Sequence, residues 1–383
     1  MKLDVMLTTR AFAAAGNLTE TTEVAKTAEE MGFAGLWGVE NQHDPFLPLA
    51  VAATVTNKIT LGTAIALAFP RSPMSLAYIS WDLQAASQGR FILGLGTQVK
   101  GHNERRFSVK WESPGPKLRE VILALRAIWD CWQTGTPLNY KGQFYTFTLM
   151  TPAFSPGPIT HPRPPIYIAG VNPYICRLAG ELCEGFHAHP FHSAKYLHEA
   201  VLPQIEQGAQ KAGRSRKDVT MVTSAFVIMG DSKDEMDKMR EKVRQQIAFY
   251  ASTRTYKPVL DIHGWGDVCF RLSEKAAKGE WDNMAKEITD EMLAEFAVTG
   301  SPDEIPGLLK AKYDGLLDRV MLYHADRPGQ HVARWKKLIT AFHESRKQEE
   351  VCLLNRTKRS FVGRLPHSAK EIWKGFWLTR LMM

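Results

Sequence analysis

The 383-residue sequence contains no uninterrupted apolar run near the ~18 residues that a membrane-spanning helix requires. It also lacks a charged-then-apolar export signal, since MKLDVMLTTR leads directly into a strand pattern. Cysteine is sparse. The five, at 131, 176, 183, 269 and 352, are scattered without metal spacing, which favours buried thiols and fits a cytoplasmic protein. No P-loop and no GxSxG elbow occurs, which weighs against kinase and serine hydrolase chemistry. Gly94-Leu95-Gly96 lacks the third glycine and the following helix of a dinucleotide fingerprint, so the doubly wound sheet is only the runner-up fold. A basic main body is also missing. Of the net charge of +8, residues 351–383 carry seven Lys or Arg against Glu371 alone, and no nucleic-acid partner is expected.

What is present is a repeating unit. KITLGTAIALAF and GRFILGLGT, between Lys58 and Thr97, are too uniformly apolar for strands with one wet face and read as strands buried on both sides. Between them, Ser72-Pro73 opens a helix with Met74, Ala77, Tyr78, Trp81 and Ala85 on one face, and Gly89 closes it. Further strands are expected at Leu3–Thr8, Gly35–Val39, PPIYIAG, GFHAHP, Val219–Met229 and Asp318–His324. Helices between them begin at Asn17 with Glu20, at Asp44-Pro45, Pro116, Pro173, Ser193 and Ser232 with Glu235. Ser301-Pro302-Asp303-Glu304 reads as the clearest helix start, and a last helix is expected over about 330–346. Eight such units predict a (β/α)₈ barrel with insertions over residues 1–348, followed by a tail over 349–383. The insertions are a hairpin over about 137–155, turning at Lys141-Gly142, and an irregular stretch over about 252–298.

A barrel keeps its chemistry at the C-terminal ends of its strands. The second strand is followed by Glu40, Asn41, Gln42 and His43, and His43 is the first catalytic candidate. It stands just before a helix N-terminus, whose positive dipole end favours an uncharged ring that can exchange a proton. The plainer role is to fasten the loop. Ala64, Ile65, Ala66 and Arg71 follow the third strand, Thr97, Gln98, Lys100 and His102 the fourth, and Gly170, Val171 and Asn172 the fifth. His187, His189 and His192 cluster at the sixth, with Tyr323 and His324 at the eighth. Two histidines two apart on a strand can share a metal, but carboxylate ligands are scarce at the other strand ends, so no metal site is assigned. No carboxylate pair suits a glycosidase either. An apolar-walled mouth with backbone N–H groups at Gly170–Asn172 suits a planar aromatic cofactor that carries its own chemistry.

These residues resemble the luciferase-like monooxygenase family, the flavin- and deazaflavin-dependent barrels, and within it a branch of coenzyme F420-dependent oxidoreductases. The likeness runs from about Lys2 to Phe342. It is carried by HDPFLPLA, ITLGTAIALAFPRSPMSLAYISWDLQAASQGRFILGLGTQVKGHNERRF, YKGQFYTFTLMTP and FAVTGSPDEI. The resemblance implies a non-prolyl cis peptide at Ala64–Ile65 behind the middle ring of the cofactor, with Ala66 beside it. It implies a catalytic role for His43, contacts of Thr97 and Gln98 beside the ring or its side chain, and the cofactor phosphate on Gly170, Val171 and Asn172. Lys100, His102, His189 and Tyr323 are the expected lining of the substrate pocket, and the hairpin its cover. Asn41-Gln42 and Asn103 depart from the family pattern. Two chemistries share the scaffold: hydride exchange between F420 and a small organic substrate, or insertion of one oxygen atom from dioxygen with reduced FMN. A flavin-binding barrel without turnover is the alternative of another class.

In the tail, Ser368 with Glu371 caps a helix that gathers Ile372, Trp373, Phe376, Trp377 and Leu381 opposite Lys370, Lys374 and Arg380. A basic amphipathic helix over 350–383 suits an anionic membrane surface or a protein partner, against a tail packed on its own barrel or left disordered. A homodimer is the oligomer that the resemblance allows.

Overall fold

The computed structural model describes residues 1–7, 18–324 and 329–344. The tail, Asn17 and the end of the last helix lie outside the described residues.

Eight parallel strands close into a barrel: β1 (Lys2–Leu7), β2 (Gly35–Gly38), β3 (Thr60–Thr63), β4 (Phe91–Gly96), β5 (Ile166–Ala169), β6 (Gly185–Ala188), β7 (Thr220–Ile228) and β8 (Arg319–Leu322). Each strand pairs with the next, and β8 returns to β1 with Lys2 opposite Arg319. The uniformly apolar strands have a simple cause. Leu36, Leu61, Phe91, Leu93, Ile166, Ile168 and Phe186 belong to the large core between the strands and the helices. Trp37, Ile92, Tyr167, Val222 and Met321 form a second cluster, on the alternate positions that face into the barrel. Glycine makes room there: a Cβ on Gly62 would sit 2.5 Å from Trp37 Cζ3. The floor of the barrel holds a buried ion pair. Arg319 donates from Nε and Nη2 to the two oxygens of Asp4 at 2.7 and 2.9 Å, and Trp37 Nε1 adds a third hydrogen bond at 2.9 Å.

The helices start for local reasons. Asp44 Oδ1 accepts from the N–H groups of Phe46 and Leu47 at the start of α1 (Phe46–Val55), and Ser72 Oγ from Met74 N at the start of α2 (Pro73–Ala86). Gly89, at φ +86°, donates to Gln84 O beyond the end of α2. The helix α3 (Pro114–Thr134) carries Glu120, whose carboxylate accepts from the N–H groups of Gln143, Phe144 and Tyr145. It thereby pins the turn of the hairpin formed by Tyr140–Lys141 and Thr146–Phe147.

One expectation is corrected. Ser301 does not cap a helix directly: Glu304 Oε2 accepts from its N–H and hydroxyl, a turn covers 302–304, and the helix begins at Ile305. The stretch 252–298 is largely helical, with helices at Lys257–Asp261, Gly266–Ala277, Trp281–Met284 and Asp290–Phe296. It ends in a short strand, Ala297–Thr299, parallel to β7. Three residues are too few for a legible alternation. Ser232 does cap its helix (Lys233–Ala251) through Glu235 N, but the Glu235 carboxylate turns to Asp231 N and Arg334.

Candidate active site at the barrel mouth

The ledge after β3 is the first element of the site. The apolar run breaks after Thr63: the Ala64–Ile65 peptide is cis, and the chain resumes as Ala66–Leu67 paired with Leu95 and Gly96 of β4. Thr63 and Ala66 are buried, while Ala64 and Ile65 keep partial exposure, so the step forms a small apolar ledge. Gly96 allows it, because a Cβ there would stand 2.7 Å from Ile65 Cδ1. Behind the ledge, Thr63 Oγ1 donates to Gly94 O at 2.6 Å and accepts from Gly94 N at 2.9 Å, tying β3 to β4.

The loop after β2 is locked by an ion network. Arg71 donates from Nη1 to both oxygens of Glu40, at 2.9 and 2.7 Å, and from Nη2 to Asp44 Oδ2 at 2.8 Å. Glu40 Oε2 also accepts from Leu67 N, and Glu40 N donates to Ile65 O. Three residues flanking His43 and the ledge therefore hold each other, with the Glu40 side chain only 6% exposed. His43 itself is exposed between the two anchored acids. Sequence reading named Glu40 and Arg71 separately; a pair 31 residues apart leaves no local signal.

After β4, Gln98 adopts a left-handed φ of +57°, and its Oε1 accepts from Val99 N. Buried Asn103 explains the departure from the family pattern at that position: its Nδ2 donates to Thr97 O and Val99 O and so shapes the loop from beneath. Lys100 and His102 lie exposed on the short helix Lys100–Arg105. After β5, Asn172 caps the helix α4 (Pro173–Leu182), its Oδ1 accepting from Ile175 N at 2.9 Å. Gly170 is obligatory for this tight entry, since a Cβ would meet Ile175 Cγ2 at 2.4 Å. Gly170, Val171 and Asn172 thus lead straight into a helix N-terminus, where Pro173 has no N–H and Asn172 takes that of Ile175.

The three histidines at β6 separate. His187 points into the barrel, its ring centroid 5.0 Å from that of Trp37 and 5.6 Å from that of Tyr167, with a buried Nε2 that has no partner. His189 leaves the barrel wall: its Nδ1 accepts from Phe191 N and its Nε2 meets the Tyr256 hydroxyl at 3.0 Å. His192 is buried, with Nδ1 2.8 Å from His189 O. Both ring nitrogens of His189 are thus engaged within the protein, and among the described residues no group of three His, Cys, Asp or Glu is arranged to hold a metal. Tyr323 lies beside Tyr250, their hydroxyls hydrogen-bonded.

Burial, joined by the Arg319 cation, pushes His187 down to about 3. Burial and His192 push His189 down to about 3, and burial together with the Lys312 cation brings His192 to about 4. An unfolded histidine takes up its proton at about 6.5, so below that pH the unfolded chain binds protons that the barrel refuses. Stability is therefore complete above that pH and lost on acidification towards 4, by up to about 1.4 kcal/mol per pH unit for each histidine. Urea midpoints measured from neutrality down to about pH 4.5 should fall steeply, and less steeply in His187→Phe. A flat profile would refute this assignment.

Comparison with known proteins places the chain in a family. The luciferase-like monooxygenase family matches residues 1–319, and the protein belongs to it. An uncharacterized protein of Mycobacterium tuberculosis is 44% identical over 304 residues, covering 79% of this chain and 89% of the relative. A 5,10-methylenetetrahydromethanopterin reductase of Archaeoglobus fulgidus is 31% identical over 287 residues, covering 73% of this chain and 82% of the reductase. In three dimensions the chain is similar to the coenzyme F420-dependent tetrahydromethanopterin reductase of Methanopyrus kandleri. The TM-score is 0.69 at 20% identity, over 88% of this chain and 96% of that one. The two reductases are oxidoreductases, as is the monooxygenase family to which the chain belongs, and this supports an oxidoreductase. No described helix is long and apolar enough to cross a membrane.

Proposed function

We propose that this protein is an F420-dependent oxidoreductase that exchanges a hydride with a small organic substrate. The observation that carries the reading is the 31% identity with a methylenetetrahydromethanopterin reductase across 73% of the chain. The residues fit such a cofactor. Ala64 and Ile65 offer an uncharged, partly exposed ledge for a flat ring, with Ala66 buried against it. The backbone of Gly170, Val171 and Asn172, at the N-terminus of α4, suits the phosphate of the side chain. Thr97 and Gln98 lie between these two places in the strand order and would flank the ring or its side chain.

The bound deazaflavin supplies a carbon that accepts or donates the hydride. The protein does the rest. His43 exchanges the proton with the substrate oxygen, held in place by the Glu40–Arg71–Asp44 network around its loop. With the cofactor bound, Ala64 and Ile65 would back one face of its ring and leave the other to the substrate.

The family description also admits monooxygenation, for which reduced FMN would be the cofactor. Absorbance and fluorescence titrations of the purified protein with F420 and FMN separate the two readings. Saturable binding of F420, with weak or no binding of FMN, is expected. Tight FMN binding without a deazaflavin response would overturn the proposal.

A further inference from the structure

Across the mouth from the ledge lies a group of rings that the cofactor reading leaves unused. In a closed ring of eight strands β7 stands opposite β3, and β6 and β8 flank β7. His189 follows β6 and Tyr323 follows β8. Tyr250 comes from the last turn of Lys233–Ala251, and Tyr256 from the turn Arg254–Tyr256 in the irregular insertion. The ring of Tyr256 stacks on His189 at 4.3 Å and 23°, and Tyr250 meets His189 edge-on at 4.7 Å. All four are half-buried, so each keeps some accessible surface.

The hydrogen bonds of His189 fix the direction of the Tyr256 hydroxyl. Phe191 N–H donates to His189 Nδ1, so in the neutral ring Nε2 carries the hydrogen. That N–H donates to the Tyr256 oxygen at 3.0 Å, which leaves the phenolic hydrogen of Tyr256 for another acceptor. Tyr250 and Tyr323 share one hydrogen bond, in which one hydroxyl donates to the other. Burial keeps this wall uncharged, holding His189 down at about 3 and the Tyr256 phenol up at about 12. The cations beside Tyr256 in sequence serve other partners: Arg254 lies over the Phe270 ring, and Lys257 pairs with Asp261.

We propose that Tyr256, oriented by His189, donates a hydrogen bond to the oxygen of an uncharged, ring-bearing carbonyl or alcohol substrate lying between this aromatic wall and the ledge of Ala64 and Ile65. The position of that substrate rests on the cofactor reading above; the selectivity of the wall does not. A carboxylate or phosphate entering here would lose its water without gaining a cation, whereas a neutral ring stacks on the phenols and gives its oxygen to Tyr256.

The test uses the full-length protein and two probes, benzaldehyde and benzoate. Their binding is read from the probes' own NMR signals by saturation transfer, with and without F420. Benzaldehyde is expected to bind the native protein at least about ten-fold more tightly than benzoate. In Tyr256→Phe its affinity should fall about three- to ten-fold, and in His189→Phe by a similar factor. The double variant should be no weaker than either single one, because both changes remove one donor arrangement; a packing defect would add. Benzoate binding as tightly as benzaldehyde, an unchanged Tyr256→Phe, or additive losses would overturn the proposal. Should Tyr256→Phe fail to fold, His189→Phe makes the same comparison. The expected probe pattern without any F420 response refutes the cofactor reading alone. An F420 response without that pattern refutes the role of Tyr256 alone.

Discussion

His43→Ala should lower F420-dependent turnover by about two to four orders of magnitude, the usual contribution of a positioned acid–base group. The assay follows the deazaflavin absorbance with the first alcohol or aldehyde that the native protein converts. Cofactor affinity should change little, because the ledge and the Gly170–Asn172 turn lie on other strands. The reason for a large effect is geometric. The loop bearing His43 is closed at both sides by acids bound to one guanidinium, and the bond from Leu67 N to Glu40 ties it to the far side of the ledge. Unaltered turnover would remove His43 from the mechanism and leave it as a surface residue of an ordered loop.

The second large effect concerns stability. Arg319→Met should destabilise the fold by about 3–5 kcal/mol, the common cost of removing one partner from a buried ion pair. Asp4 is 1% and Arg319 5% exposed, and they join the first and last strands of the ring. Burial already raises the Asp4 pKa, and Arg319 opposes that rise. Without the guanidinium the carboxyl keeps only the indole N–H of Trp37. Urea unfolding measures the loss, and Asp4→Asn combined with Arg319→Met should recover part of it. A loss under about 1 kcal/mol would show that the pair contributes little to closing the barrel.

Much of the barrel is legible in the sequence because both faces of its strands are buried and the helices between them carry local start and stop signals. Ser72, Asp44, Ser193 and Ser232 each accept from a backbone N–H at a helix start, as their spacing suggests. Ser301 misleads because the same residues also build a turn, and Glu304 satisfies that turn before the helix begins. The break after Thr63 follows from the family resemblance; the run KITLGTAIALAF alone reads as one continuous strand.

The site divides along similar lines. Candidates at strand ends can be named from the barrel pattern, whereas long-range partners cannot. Glu40 and Arg71 meet across 31 residues, and His189 and Tyr256 across 67. Tyr256 sits in a stretch of short helices without clear periodicity, so no pattern signals that it returns to the mouth. The three histidines of HAHPFH are equally instructive: His187 faces into the barrel, His189 leaves the wall to meet Tyr256, and His192 turns back to the His189 carbonyl, a division set largely by neighbours that the motif does not contain.

The central claim is that the barrel mouth holds a redox ring between the ledge after β3 and the aromatic wall beyond β6 to β8. A crystal structure of the protein soaked with F420 tests it directly. The account predicts the ring lying along Ala64 and Ile65, the phosphate on the backbone of Gly170–Asn172 and the open face turned towards His43 and Tyr256. Density for the ring elsewhere, or a phosphate away from the N-terminus of α4, would contradict it.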